Sequence, residues 1–512
     1  MLKLNSFTTS SGEILLYNGT PNLTMLETLA KGSGDLWHSA LDQGFKNCFK
    51  ELVYQSAVYW WFLNDFEGLD SCVSWRLNVH EFVVRESTWK TLNGLDTDYS
   101  DCIISGLDFG FNLIRNSGGV PLYIKGLFPV KVFELSISKE DRYLFFLKNF
   151  KKHHSYYMLF RKGVFCFFSE CKALKSVLKK AFRKKNKICN YRALEPIKGL
   201  PTVSLVIPTM KRQKYTELLL KDHNKQTYLI KEAIIVDATP EAERDAKYYN
   251  KDNFRFDIKV KWQTTKGSCC ARNEAINMCT GDYIIFADDD VRILPDFVEN
   301  HIRLLQTYKA SACNGLDIMA DNTYETLEDL NLKLSKLKET RWKVGVSHMF
   351  SNANSCVKRT VVEKLVGNDI NFDGGYGEDA DFGLRILKQG DILLHNPFSP
   401  NLHLKPPVGG YRFWGNQSKI LGKNRKIQPW ELDKPVKYVR PVPSPTVTYK
   451  FLKHFNTTQI SEWRWKHVFI YLFKKDKKGI VLRLLKLPYK QIQFNKSLMY
   501  AKRLMEKGER YN

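Results

Sequence analysis

Residues 281–297 read GDYIIFADDDVRILPDF, a short apolar run from Tyr283 to Phe286 that ends in Asp288, Asp289 and Asp290 with no basic residue among the three. At an effective dielectric of about 20, two carboxylates roughly 4 Å apart repel by about 4 kcal/mol. Such a triplet is either a solvated acidic turn or a place where a cation, a metal or a charged partner, completes the structure. The neighbouring segments decide between the two.

Upstream, Val203 to Ile207 is a similar apolar run ending in Pro208-Thr209, and Ala233 to Val236 is another ending at Asp237. Phe256 to Trp262 reads as a third strand, with helical stretches at 215–226 (YTELLLKDHNKQ), 268–279 (SCCARNEAINMC) and 295–308 (PDFVENHIRLLQTY). Strands alternating with helices predict a mostly parallel sheet with helices on both faces. Ligands of such sheets sit beyond the carboxyl ends of the strands. Pro208, Thr209, Asp237 and the triplet all fall at those ends, which favours a binding site over a solvated turn.

A second acidic cluster lies at 371–390, NFDGGYGEDADFGLRILKQG. Its glycines make a tight loop, and Glu378 and Asp379 open a helix, where the dipole favours acids. Capping accounts for one acid more readily than for Glu378, Asp379 and Asp381 together. Further on, His403 lies among prolines and glycines in PNLHLKPPVGGYRFWG, which reads as a loop.

The chain has 512 residues, enough for two or three domains, and a net charge of +25 that implies an anionic partner. Its eleven cysteines lack zinc-type spacing, the N-terminus has no signal-peptide core, and no run of about 18 apolar residues occurs. These features predict a cytoplasmic protein, soluble or peripheral on the inner face of the membrane. Residues 1–135 read as an N-terminal α+β domain and 136–198 as a basic connector. In the connector, Leu174, Val177, Leu178, Ala181 and Phe182 share one helical face. That helix either packs on a neighbouring domain or lies on a membrane surface. Residues 199–420 form the α/β unit, and 421–512 a basic, aromatic helical extension.

The ordered series VSLVIPTMKR, IIVDATP, KGSCCARNEAI, GDYIIFADDD and GGYGEDADFGLR resembles the family 2 glycosyltransferases of the GT-A nucleotide-diphospho-sugar fold, among them bacterial enzymes of surface-polysaccharide and lipopolysaccharide assembly. Residue by residue, the resemblance implies that Pro208, Thr209 and Asp237 hold the nucleotide, with Arg272 and Asn273 nearby. Asp288 and Asp290 would be the D-x-D pair, with Asp289 between them on the donor side. Asp290 would be the direct ligand of Mn²⁺ or Mg²⁺, Asp288 would support it and His403 would complete the shell. Asp379 would be the general base, with Glu378 beside it. The implied reaction is a metal-dependent, inverting transfer from a nucleotide-diphospho-sugar to a saccharide or lipid-linked acceptor. Ala238 stands where the family often has a second acid, which leaves the nucleotide open. The chemistry is self-consistent: a sugar diphosphate leaving group gains negative charge that a divalent cation neutralises, and an acceptor hydroxyl needs one positioned base.

Two other readings stand beside this one: a nucleotidyl- or retaining transferase on the same fold, and a nucleic-acid-binding protein suggested by the charge. Against the last, the basic residues lie outside the sheet domain and no nucleic-acid module is recognisable. Residues 79–118 echo 354–390, with Gly94 matching Gly367 and Asp108-Phe109-Gly110 matching Asp381-Phe382-Gly383. The N-terminal domain is therefore a candidate degenerate glycosyltransferase-like unit. The basic C-terminal segment predicts binding to an anionic leaflet.

Overall fold

The computed structural model describes residues 2–55, 62–180, 182, 187–189, 191–264, 267–411, 439–473 and 479–512. The N-terminal sheet contains β1 (Asn5–Thr8), β2 (Ile14–Asn18), β3 (Leu36–His38), β4 (Ser71–Val73), β5 (Phe82–Arg85) and β6 (Pro121–Ile124), in the order β1-β2-β5-β3-β6-β4. The helices Lys139–Asn149, Lys152–Arg161 and Phe167–Leu178 follow in the segment read as a basic connector. Tyr143, Phe145 and Phe146 are buried, and Phe145 meets Phe49 edge-on with ring centres 4.7 Å apart. The predicted basic helix stops at Leu178, capped by Lys179. It buries Leu174 and Val177, and Phe182 packs beyond its end, while Ala181 lies outside the described residues.

The larger sheet contains β7 (Val203–Thr209), β8 (Glu232–Asp237), β9 (Asp257–Trp262), β10 (Tyr283–Ala287), β11 (Val291–Ile293), β12 (Ala312–Met319), β13 (Gly345–Val346), β14 (Asn354–Lys358) and β15 (Leu393–His403). Its order is β11-β15-β12-β14-β10-β7-β8-β9, with β13 on β15. The run β10-β7-β8-β9 is parallel, and β14 enters antiparallel between β10 and β12. Every residue of β7, β8 and β10 is buried, which explains why their sequences are continuous apolar runs rather than alternations. β7, β8 and β10 end at Thr209, Asp237 and Ala287, so the polar residues at those ends share one edge.

Among the described residues, four C-terminal helices follow: Pro445–His454, Thr457–Leu472, Ile480–Leu485 and Leu487–Glu506. They pack through Phe451, Trp463 and Phe494, and Thr448 and Ser497 share a 2.7 Å hydrogen bond. Residues 421–438 of the predicted extension lie outside the described residues. No helix among the described residues is long and apolar enough to cross a membrane.

Candidate functional site

An open cleft of about 900 Å³ lies at the carboxyl edge of the larger sheet. Pro208, Arg272, Asp288, Asp289, Asp290 and His403 line one part of it, and Tyr376, Glu378 and Asp379 another. Backbone pairing builds the first part. The turn after β10 leads directly into β11, whose Val291 pairs with His403 of β15, and the Leu404 N–H donates to the Asp290 carbonyl at 2.9 Å. His403, expected in a loop, is thus the last residue of a strand, held rigidly beside Asp290. One ligand atom from each of Asp288, Asp290 and His403 lies within 4.8 Å of the others.

The triplet's charge is met by residues that its own segment lacks. Arg212, in the turn after β7, places Nη1 at 3.1 Å from Asp289 Oδ1 and 2.9 Å from Asp290 Oδ2. Arg272 donates from Nη2 to Asp288 Oδ1 at 2.8 Å. The electrostatic fault read from GDYIIFADDDVRILPDF is therefore partly corrected by two guanidinium groups distant in sequence. The three acids also differ. Asp289 is turned inward, accepting from Thr209 Oγ1 at 2.7 Å, and burial pushes its carboxyl up to about 7. Asp290 goes the other way: burial opposes ionisation, but His403 and Arg212 hold it below the usual carboxylate range.

His403 lies between Asp290 (Nε2 to Oδ1, 3.2 Å) and Asp317 of β12 (Nδ1 to Oδ1, 3.2 Å). Burial disfavours its charged form, yet the two carboxylates raise it to about 10. A carboxylate behind an imidazole in this way fixes the tautomer that leaves Nε2 for a metal. Asp317 was not singled out in the sequence. It stands in an ordinary strand, NGLDIM, and only the parallel β12–β15 pairing brings it to His403. Arg212 had a weak signal, lying next to the predicted Pro208-Thr209 turn.

On the other side, Gly377 takes a φ of +117° and turns the chain into the Glu378–Lys388 helix, so Glu378 and Asp379 enter its first turn. Asn352 orients Asp379, donating from Nδ2 to Oδ1 at 2.6 Å. The C-terminal helices support the same loop: Thr446 Oγ1 accepts from the Tyr376 N–H at 2.8 Å. Asp381 faces away from the cleft. It receives His454 Nε2 and Lys453 Nζ, each at 2.8 Å, and Arg385 Nε at 2.9 Å. Against its burial, these donors hold it well below the usual carboxylate range.

Three residues expected at the nucleotide have internal partners. Both Asp237 oxygens are engaged, one by the Thr239 N–H at 2.8 Å and the other by the Tyr249 hydroxyl at 2.9 Å. Thr209 is fully buried against Asp289. Asn273 points to the far side of its helix, donating to the carbonyls of Asn368 (2.7 Å) and Tyr511 (2.8 Å). Arg272 is different. It is buried, and its Nε and Nη1 have no hydrogen-bond partner among the described residues. A buried guanidinium with unmet donors at a cleft wall fits an anionic group.

Residues 204–366 match the family model for glycosyl transferase family 2. A putative glycosyltransferase EpsH of Bacillus subtilis (strain 168) is 35% identical over 105 residues, 20% of this chain and 30% of that protein, so the chain spans under a third of the length of this curated relative. Among solved structures, TarS of S. aureus is 11% identical, covering 61% of this chain and 93% of that chain with a TM-score of 0.36. The mannosyltransferase PcManGT from Pyrobaculum calidifontis, solved with GDP-Man and Mn²⁺, is 17% identical, with coverages of 65% and 93% and a TM-score of 0.35. The mostly parallel mixed sheet built on β7–β15 is a GT-A-like α/β domain, and it carries the family 2 match.

Proposed function

We propose that the chain's glycosyl transferase family 2 domain moves a sugar from a nucleotide-diphospho-sugar to a hydroxyl of a saccharide or lipid-linked acceptor, with inversion and with Mn²⁺ or Mg²⁺ as cofactor. One observation carries the proposal: the Asp288–Asp290–His403 donor set and the oriented Asp379 line a single cleft. Two carboxylates and an imidazole make a donor set for a small divalent cation. Asp290 Oδ1, an Asp288 oxygen and His403 Nε2 would hold it, because Arg212 and Arg272 take the other carboxylate oxygens of the pair. When bound, the metal neutralises the charge developing on the departing diphosphate. Arg272, with its two unmet donors, would bind that diphosphate. Asp379 would accept the acceptor hydroxyl's proton on the opposite side of the sugar. The test is a screen of nucleotide sugars for Mn²⁺-dependent transfer or hydrolysis by the full chain. Absence of turnover with every nucleotide sugar, alongside tight metal binding, would count against the reading.

Asp317 supplies a separate check. Removing the carboxylate behind a ligating histidine typically costs 10–100-fold in metal affinity. Asp317→Asn is expected to weaken Mn²⁺ binding by that factor in calorimetric titration, and to lower the metal-free melting midpoint as well, since it removes one of the two carboxylates that compensate His403. Unchanged affinity would remove His403 from the ligand set.

We further propose that the protein docks peripherally on an anionic bilayer through the Ile480–Leu485 helix. This helix is inverted relative to a soluble one: Ile480, Val481, Leu482, Leu484 and Leu485 are exposed, and the only buried side chain is Arg483. Phe473 is exposed just before it, and the flanking sequence contains KKDKK at 474–478 and Lys486. Each aliphatic transferred from water contributes about 1.5–3 kcal/mol, and each lysine near an anionic surface about 1 kcal/mol. The full chain is expected to float with anionic vesicles, and Val481→Asp with Leu485→Asp to reduce the floated fraction several-fold. Flotation unchanged by those substitutions would overturn the assignment, as would concentration-dependent dimerisation that they abolish.

A further inference from the structure

The N-terminal sheet repeats the second half of the larger sheet, pairing by pairing. β5 lies antiparallel between β2 and β3, β3 runs parallel to β6, and β6 takes β4 antiparallel. In the same chain order, β14 lies antiparallel between β10 and β12, β12 runs parallel to β15, and β15 takes β13 antiparallel. Local geometry follows. The Glu86–Leu92 helix starts directly after β5 and ends on a left-handed Asn93 before Gly94. The Arg359–Leu365 helix starts directly after β14 and ends on a left-handed Val366 before Gly367. In the next helix of each copy, a glycine presses on the extended chain that leads to the strand. A Cβ on Gly110 would lie 2.0 Å from the Trp75 carbonyl oxygen, and one on Gly383 would lie 2.3 Å from that of His348.

The likeness continues beyond the sheets. Buried Asp108 accepts from Asn149 at 2.8 Å, and buried Asp381 accepts from His454 at 2.8 Å. Asn149 and His454 each end a helix and precede an extended phenylalanine, Phe150 and Phe455, whose N–H returns to the phenylalanine four residues earlier. Lys148 reaches Asp96 and Lys453 reaches Asp369, the matching acids upstream. What differs is chemistry. Ser105 and Gly106 stand where Glu378 and Asp379 stand, and Gly19-Thr20-Pro21-Asn22 follow β2 where the acid triplet follows β10.

The two copies also touch reciprocally. A Cβ on Gly118, after the first copy's helix, would lie 2.4 Å from the Val344 carbonyl oxygen beside β13. A Cβ on Gly390, after the second copy's helix, would lie 2.9 Å from the carbonyl oxygen of Ser71 in β4. Counted from Phe150 and Phe455, Tyr157 is equivalent to Glu462, and Arg161 to Lys466. Arg161 pairs with Glu462, and Lys466 Nζ lies 4.7 Å from the Tyr157 ring centre. The equivalent residues Tyr157 and Glu462 meet each other at 2.9 Å. Contacts exchanged in this way mark an isologous, two-fold interface.

We infer that the chain is a fused pseudo-dimer: residues 14–178 are a second copy of the half-domain built on β10–β15 and the C-terminal helices, docked on it about an internal two-fold axis and without catalytic groups of its own. The partner this interface fits is the chain's own fold. The first copy buttresses the helix that begins with Glu378 and Asp379, since β4 backs the turn at Gly390. Only the statement that this copy is silent rests on the proposed glycosyl transfer.

The test uses the full chain. R161E and E462R are each expected to lower the melting midpoint by several degrees, and the R161E/E462R double variant to regain most of that loss. A double variant no more stable than the worse single would overturn the axial contact. An experimentally determined structure should relate the two copies by a rotation near 180°. A clearly different rotation would overturn the two-fold. Neither result depends on detecting transfer, so failure here is distinguishable from failure of the proposed activity.

Discussion

Asp290→Asn is expected to lower metal-dependent transfer by about 10³-fold, a loss of roughly 4 kcal/mol at the transition state. The substitution preserves size and removes charge at the most constrained acid of the site. Asp290 is only 3% exposed, and its two oxygens face different cations, His403 Nε2 at 3.2 Å and Arg212 Nη1 at 2.9 Å. An amide there offers a weaker ligand oxygen and sets an N–H against a guanidinium or an imidazole. The same change leaves Arg212 and His403 less compensated, so some loss of stability is expected even without metal. Comparing melting midpoints with and without Mn²⁺ separates the two effects: the wild-type midpoint should rise with metal, and that of the variant should not. Asp288→Asn should cost less, because Asp288 is half-buried and already shared with Arg272. If Asp290→Asn kept full Mn²⁺-dependent turnover, the ligand assignment would be wrong.

What could be read in advance follows from the kind of signal involved. β7, β8 and β10 were legible because strands buried on both faces must be apolar throughout, and their polar ends must then share an edge. The antiparallel β14, the long β15 and the β12–β15 pairing were not legible, since pairing partners distant in sequence leave no local pattern. That gap is why His403 read as a loop residue and Asp317 went unnoticed. Arg212 and Arg272 were missed as counter-charges to the triplet for the same reason. Asp237 and Asn273 show the converse: a polar residue at a strand end or in a helix near the site can be consumed by internal hydrogen bonds, and sequence position alone does not reveal which. The basic connector and C-terminal segment had a legible composition but not a legible location. Their aromatics divide between core, as with Tyr143, Phe145, Trp463 and Phe494, and exposed surface, as with Phe160, Phe165, Phe168 and Phe473, and the Ile480–Leu485 helix stands out only once exposure is known.

Asp379→Asn is expected to leave donor binding unchanged and to reduce transfer by about 10²–10⁴-fold, the usual contribution of a positioned general base. The separation of roles follows from the geometry. The proposed donor side of the cleft is built from Asp288, Asp290 and His403 on the β10–β11 and β15 edge and Arg272 on the Ser268–Ile276 helix, whereas Asp379 sits on a different element, the first turn of the Glu378–Lys388 helix. Asn352 holds Asp379 by two donors, Nδ2 at 2.6 Å and the backbone N–H at 3.3 Å, an arrangement that orients a carboxylate. Both donors reach the same oxygen, Oδ1, so an asparagine in its place can keep both contacts but cannot take a proton from an acceptor hydroxyl. The expected pattern is an unchanged KM for the nucleotide sugar and a collapsed kcat for transfer. Slow donor hydrolysis should persist, since water can lose its proton to solvent. Transfer at the wild-type rate would place the base elsewhere, and Glu378, buried beside Asp379 in the same turn, would be the next candidate.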